Sequence, residues 1–107
     1  MIGYNDINRL LPPAVEDEIN EDTDLSQRLV SLAEKEFKNL SGIDSDTQYL
    51  SCYLDVFLFV CSKFMRFDDA LLANINNNFT LASTKLDDIK RSKLFENFEQ
   101  SKVAQIC

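Results

Sequence analysis

Residues 49–67 read YLSCYLDVFLFVCSKFMRF. Fourteen of these nineteen positions are apolar or aromatic. A helix that is apolar nearly all round lies either at the centre of a bundle or within a membrane. The unbroken apolar run is short, covering only 56–61, and Asp55, Lys63 and Arg66 flank it. A membrane-spanning helix needs about 20 predominantly apolar residues. The stretch is therefore expected to be a buried central helix over about 47–67, opened by Asp46 or Thr47. Periodicity alone leaves a buried strand at 53–60 as an alternative.

The rest of the chain favours helices. Its 107 residues include two glycines, Gly3 and Gly42, and two prolines, Pro12 and Pro13. Sandwiches and barrels need frequent turns rich in these residues, yet 43–107 contains neither. Residues 4–11 read as one or two helical turns that Pro12 ends, and Pro13 suits the first turn of a short helix over 13–20. Leu25, Leu29, Leu32, Ala33, Phe37 and Leu40 recur at spacings of three and four, which predicts an amphipathic helix. Asp24 is placed to cap its start and Gly42 to end it. Asp68 caps a further helix over 69–78. The asparagines at 74 and 76–78 then read as a turn or a frayed continuation. Thr84 and Asp87 have the spacing of a capping box, so a last helix is expected from 83 or 84 to about 103. These elements predict one all-α domain over 1–107, a compact four- or five-helix bundle around the hydrophobic central helix.

Charge is unevenly placed. The chain holds 18 acidic and 11 basic residues, a net charge of −7, and no histidine. Residues 1–50 hold 11 acidic and 4 basic groups, which is −7; residues 51–107 hold 7 of each, which is zero. Six carboxylates, Glu16, Asp17, Glu18, Glu21, Asp22 and Asp24, crowd into the segment 13–24. They read as a solvated surface, as a partner-binding face, or as a metal site built on the ExxE of Glu18 and Glu21. An EF-hand does not fit, because Thr23 stands where its glycine belongs and Leu29 where its bidentate glutamate belongs. Net acidity argues against direct nucleic-acid binding, which needs clustered Lys and Arg.

Several chemistries lack their parts. Without histidine the commonest general base and metal ligand is missing, and no glycine-rich phosphate loop or GxSxG is present. Cys52, Cys61 and Cys107 show no CxxC spacing. On one helix, nine residues place Cys52 and Cys61 on opposite faces. The three read as free thiols of a cytoplasmic protein, and no signal-peptide pattern opens the chain. Asp55 is unusual within its apolar surroundings. It reads as the solvent or groove side of its helix, as a partner of a Lys or Arg, or as a buried carboxylate with altered acidity or a ligand role.

Residues 54–86, LDVFLFVCSKFMRFDDALLANINNNFTLASTKL, resemble the second half of the all-α nucleoside triphosphate pyrophosphatases of the MazG-like group. There an apolar helix opens with ExxD, and a turn, a DALLAEI-like helix and an Asn/Lys-containing tail follow. Asp55 matches the Asp of ExxD, Cys52 stands at its Glu, and the preceding helix carries Glu34 and Glu36 in place of ExxE. The likeness covers about a third of the chain. It implies a helical fold and, as one alternative, a divergent Mg-dependent pyrophosphatase with Asp55 as a remaining metal ligand.

Size and charge favour a binding protein over an enzyme. Small acidic helical proteins occur as phage-borne inhibitors and toxin-immunity proteins. The expected function is therefore an inhibitor or antidote that blocks a basic partner, such as a nuclease or nucleic-acid-binding complex, through Glu16, Asp17, Glu18, Glu21, Asp22 and Asp24. No cofactor is implied. A self-associating structural subunit, for instance a homodimer driven by Phe95 and Phe98, is the third reading.

Overall fold

The computed structural model describes the backbone of residues 1–20 and 22–106 and the side chains of 1–20 and 22–94. The chain forms α1 (Tyr4–Ile7), a 3₁₀ turn (Asn8–Leu10), α2 (Pro13–Asn20), α3 (Thr23–Ser41), a second 3₁₀ turn (Thr47–Tyr49), α4 (Leu50–Cys61) and α5 (Asp69–Ile106). No strand occurs among the described residues, and no helix is long and apolar enough to cross a membrane. The all-α bundle expected from the sequence is the fold observed.

α4 is the centre. It packs against both α3 and α5, which also touch each other, and α1 and α2 close over α3. Tyr53, Val56, Phe57 and Cys61 of α4 are fully buried, as are Leu29, Ala33 and Phe37 of α3 and Leu86 of α5. Tyr53 lies between Phe37 and Phe57, with ring centroids 6.1 and 6.5 Å away. Tyr4 of α1 reaches Phe57 at 6.4 Å. Each such burial is worth about 1.5–3 kcal/mol, and offset or tilted aromatic pairs add to it. The Tyr53 hydroxyl donates to the Val30 carbonyl (3.3 Å), so its polar tip is satisfied inside the core.

α3 starts two residues earlier than the sequence suggests. Asp22, not Asp24, is the N-cap, and its carboxylate accepts from Leu25 N (3.0 Å). Asp24 instead stands in the first turn, where a negative charge still favours the helix dipole. Gly42 ends the helix as expected. It adopts φ +74°, and its N–H donates to the Lys38 carbonyl (2.8 Å), a left-handed cap that costs a glycine little.

The central helix is shorter than 47–67. Its first turn is 3₁₀, capped by Asp46, and α4 stops at Cys61. There Ser62 N–H is shared between the Leu58 and Phe59 carbonyls (3.0 and 3.2 Å), and Lys63 and Phe64 bond three residues back. The Ser62 hydroxyl also bonds the Phe59 carbonyl (2.5 Å). Such tightening finishes a helix. Met65 and Phe67 pack on the core from the connection to α5, whereas Phe64 is exposed.

The two helices expected at 69–78 and 83–103 are one helix, α5. Asp68 caps it as predicted, accepting from Leu71 N (2.7 Å), but the asparagines do not turn the chain. Ile75, Phe79, Ala82, Leu86 and Ile89 keep a four–three alternation across the supposed break and face the core. The Phe79 ring stacks on Phe59 of α4 at 3.7 Å, which pins the middle of the helix. Asn76 and Asn77 are exposed on its far side. The expected cap residue Thr84 bonds the Thr80 carbonyl within the helix (3.1 Å). Packing of the apolar stripe outweighs the small helix-propensity cost of asparagine. Asp87 and Arg91 pair at 3.0 Å, as their spacing suggested.

A polar knot ties the chain's start to the bundle. Ile2 N–H donates to Ser45 Oγ (2.9 Å). Ser45 N–H donates to Glu34 Oε2 (2.8 Å), and its hydroxyl donates to Glu34 Oε1. Ser45 is buried, so these bonds satisfy groups that would otherwise be costly to enclose.

Continuity of α5 is directly testable. Asn77→Pro is expected to lower the unfolding free energy by about 3 kcal/mol, read by urea denaturation; a cost near zero would place a turn there.

Candidate functional site

The acidic segment is held by two apolar anchors. Val15 and Ile19 of α2 are fully buried. A helix advances about 100° per residue, so Glu16 and Glu18 flank the buried stripe and Asp17 lies opposite it. Asp17, Glu18, Asp22 and Asp24 are exposed and Glu16 is half-buried. Glu21, the sixth carboxylate of the expected face, lies outside the described residues. The carboxylates thus fan round the outward side of α2 and continue over the start of α3. Asp22 is partly committed, because its carboxylate caps α3. Among the described residues the ion pairs are Lys38–Asp44 and Asp87–Arg91, so neither pair neutralises this segment.

Lysines of α5 reach the other end of α3. Lys90 of α5 donates to the Asn39 carbonyl and Lys93 to the Gly42 carbonyl, both at 3.2 Å. Two cations from α5 therefore cover the negative end of the α3 dipole, beside Lys35 and Lys38 of α3 itself. Asp24 and Lys38 are 14 residues apart, or about 21 Å along the helix. The acidic start of α3 and the lysines that close its end thus lie far apart on the molecule.

A cleft of about 730 Å³ opens beside the acidic segment. It is bounded by Gly3, Tyr4 and Asp6 at α1 and by Ile19, Asn20 and Gln27 across the α2–α3 junction. The Tyr4 hydroxyl donates to Asn20 Oδ1 (2.8 Å), and Asn20 Nδ2 donates to Glu16 Oε1 (3.4 Å). Burial, and then the nearby Glu16 charge, raise the Tyr4 pKa above its ordinary value. Sequence reading missed this cleft. Tyr4, Asn20 and Gln27 are far apart in the chain, and no spacing rule joins them.

Asp55 is half-buried on α4, at the groove with α5. Desolvation raises its pKa, and Lys85 of α5 opposes the rise. Among the described residues, no three His, Cys, Asp or Glu side chains come together to hold a metal ion. Glu34, which the pyrophosphatase comparison placed on the facing helix, is engaged by Ser45.

Cys52 and Cys61 are free thiols. They separate as their spacing predicts, Cys61 into the core and Cys52 to a half-buried position. Burial pushes the Cys61 thiol up to about 12. It raises Cys52 as well, with Lys85 pulling the other way. The side chains of Phe95 and Phe98, and Cys107, lie outside the described residues. No family model, no curated protein and no solved structure matches the chain.

The raised Asp55 pKa sets the sign of a pH effect. The fold favours the protonated form, so Asp55 carries no ionisation penalty below its ordinary value near 3.9. Stability is then lost as pH rises through its elevated folded value. Asp55→Asn removes that loss. In urea midpoints the variant should gain on the parent between pH 3 and pH 7, whereas a variant weaker at pH 7 would mean that Lys85 outweighs desolvation. The thiols should differ as well. Alkylation followed by peptide mass spectrometry is expected to mark Cys52 well before Cys61, because a buried protonated thiol reacts only when the core opens.

Proposed function

We propose that this chain is a small protein-binding module that inhibits a basic, nucleic-acid-handling partner. In this reading Glu16, Asp17, Glu18, Glu21, Asp22 and Asp24 occupy lysine and arginine positions that otherwise hold phosphates. The observation that carries it is the exposure of Asp17, Glu18, Asp22 and Asp24 on a segment anchored by two buried side chains. An exposed carboxylate cluster of one sign gives a field that attracts a basic surface and speeds encounter.

The fold also tells which carboxylates to change. Asp22→Lys would remove the α3 cap, at a cost of about 1 kcal/mol, and so confuse binding with folding. Asp17 and Glu18 face solvent from the middle of α2 and carry no such duty. Immobilised chain is expected to capture from its native host a protein that binds nucleic acid, and added chain should displace that nucleic acid. Asp17→Lys/Glu18→Lys should slow association with the captured protein by roughly tenfold. Capture should fail in about 1 M salt, where the screening length falls to about 3 Å. Unchanged association and unchanged salt dependence in the double variant would remove these carboxylates from the contact.

A further inference from the structure

We infer that the cleft between α1 and the α2–α3 junction receives an arginine side chain of the basic partner, an inference that rests on the acidic-face reading above. The walls suit the two halves of that side chain. The exposed Met1 offers apolar surface to an aliphatic stem. Asp6, Asn20 and Gln27 offer acceptor oxygens to the head.

Asp6 supplies the charge. Its Oδ2 accepts from Gly3 N (2.8 Å) at the start of α1, which holds the carboxylate at the cleft wall and leaves Oδ1 for a second donor. Glu16 adds negative potential from behind, held toward the cleft through Asn20 and felt at the Tyr4 hydroxyl. Among the described residues, no lysine or arginine side chain lines this cleft. Two other clefts differ on that point. One is bounded by Lys93 and Asp88, and the other by Lys35, Lys63 and Glu36. Of these three clefts, the α1 cleft is the one lined by a carboxylate and by no lysine or arginine side chain.

Arginine fits better than lysine. The acceptors stand on two walls, α1 on one side and α2–α3 on the other. A planar guanidinium with five donors in a fixed fork can reach both, whereas an ammonium acts as a compact, strongly hydrated point charge. The surrounding Asp17, Glu18, Asp22 and Asp24 would draw in the basic segment, and the cleft would then select the residue that enters.

The test uses the full chain and two capped peptides, alternating glycine with arginine and glycine with lysine, titrated by calorimetry at low salt. The arginine peptide is expected to bind roughly fivefold or more tightly than the lysine peptide. Asp6→Asn keeps an acceptor oxygen for Gly3 N but removes the charge. Gln27→Arg, at an exposed position, puts the chain's own guanidinium into the cleft. Each should abolish the preference for arginine while leaving the lysine peptide nearly unaffected, and side-chain amide resonances of Asn20 and Gln27 in the parent should shift with the arginine peptide. Asp17→Lys/Glu18→Lys should weaken both peptides alike. Equal binding of the two peptides, or an arginine preference that survives both cleft variants, would overturn the cleft proposal. Loss of both peptides' binding in Asp17→Lys/Glu18→Lys alone would leave the acidic face standing. Peptides that bind neither the parent nor any variant would overturn both readings together.

Discussion

A helix apolar on nearly every side must be enclosed on nearly every side, and here a chain of 107 residues has to do it. That constraint organises the molecule. α3 and α5 cover two flanks of α4, and the aromatic column of Phe37, Tyr53 and Phe57 fills the space between. α1 is recruited by the same demand, because Tyr4 lies against Phe57. α2 follows, its Val15 and Ile19 completing the cover. The acidic segment therefore has its shape because short helices had to be spent on burying the core. Their outward positions are free of that duty and carry charge.

The link from core to candidate site is physical and short. Ile19 is buried in the core and also forms part of the cleft beside α1. Tyr4 packs on Phe57 with its ring and bonds Asn20 with its hydroxyl. Two residues thus tie the walls of the cleft to the core. Surfaces held this way lose less side-chain freedom on binding than surfaces on loops.

Helical class was legible from the scarcity of glycine and proline and from the three–four spacing of apolar residues in α3. The caps at Gly42 and Asp68 were legible too, because capping chemistry is local. The joining of α5 was not. Asn76, Asn77 and Asn78 look like a turn in isolation, and only the stacking of Phe79 on Phe59 shows why they do not form one. The choice between Asp22 and Asp24 as cap rested on backbone conformation two residues apart, which composition cannot resolve. The carboxylate positions of the candidate face were plain in the sequence. The cleft and the Glu34–Ser45–Ile2 knot were not, since each joins residues through the fold and not through spacing.

The knot has a consequence for how distant parts of the molecule answer to one another. Ile2 finds its acceptor 43 residues away, at Ser45, and Tyr4 its ring partner at Phe57. The short helices that carry the acidic segment thus lean on α3 and also on residues well beyond it in the chain. A change at Ser45 or Phe57 would reach the charged surface without touching a single carboxylate.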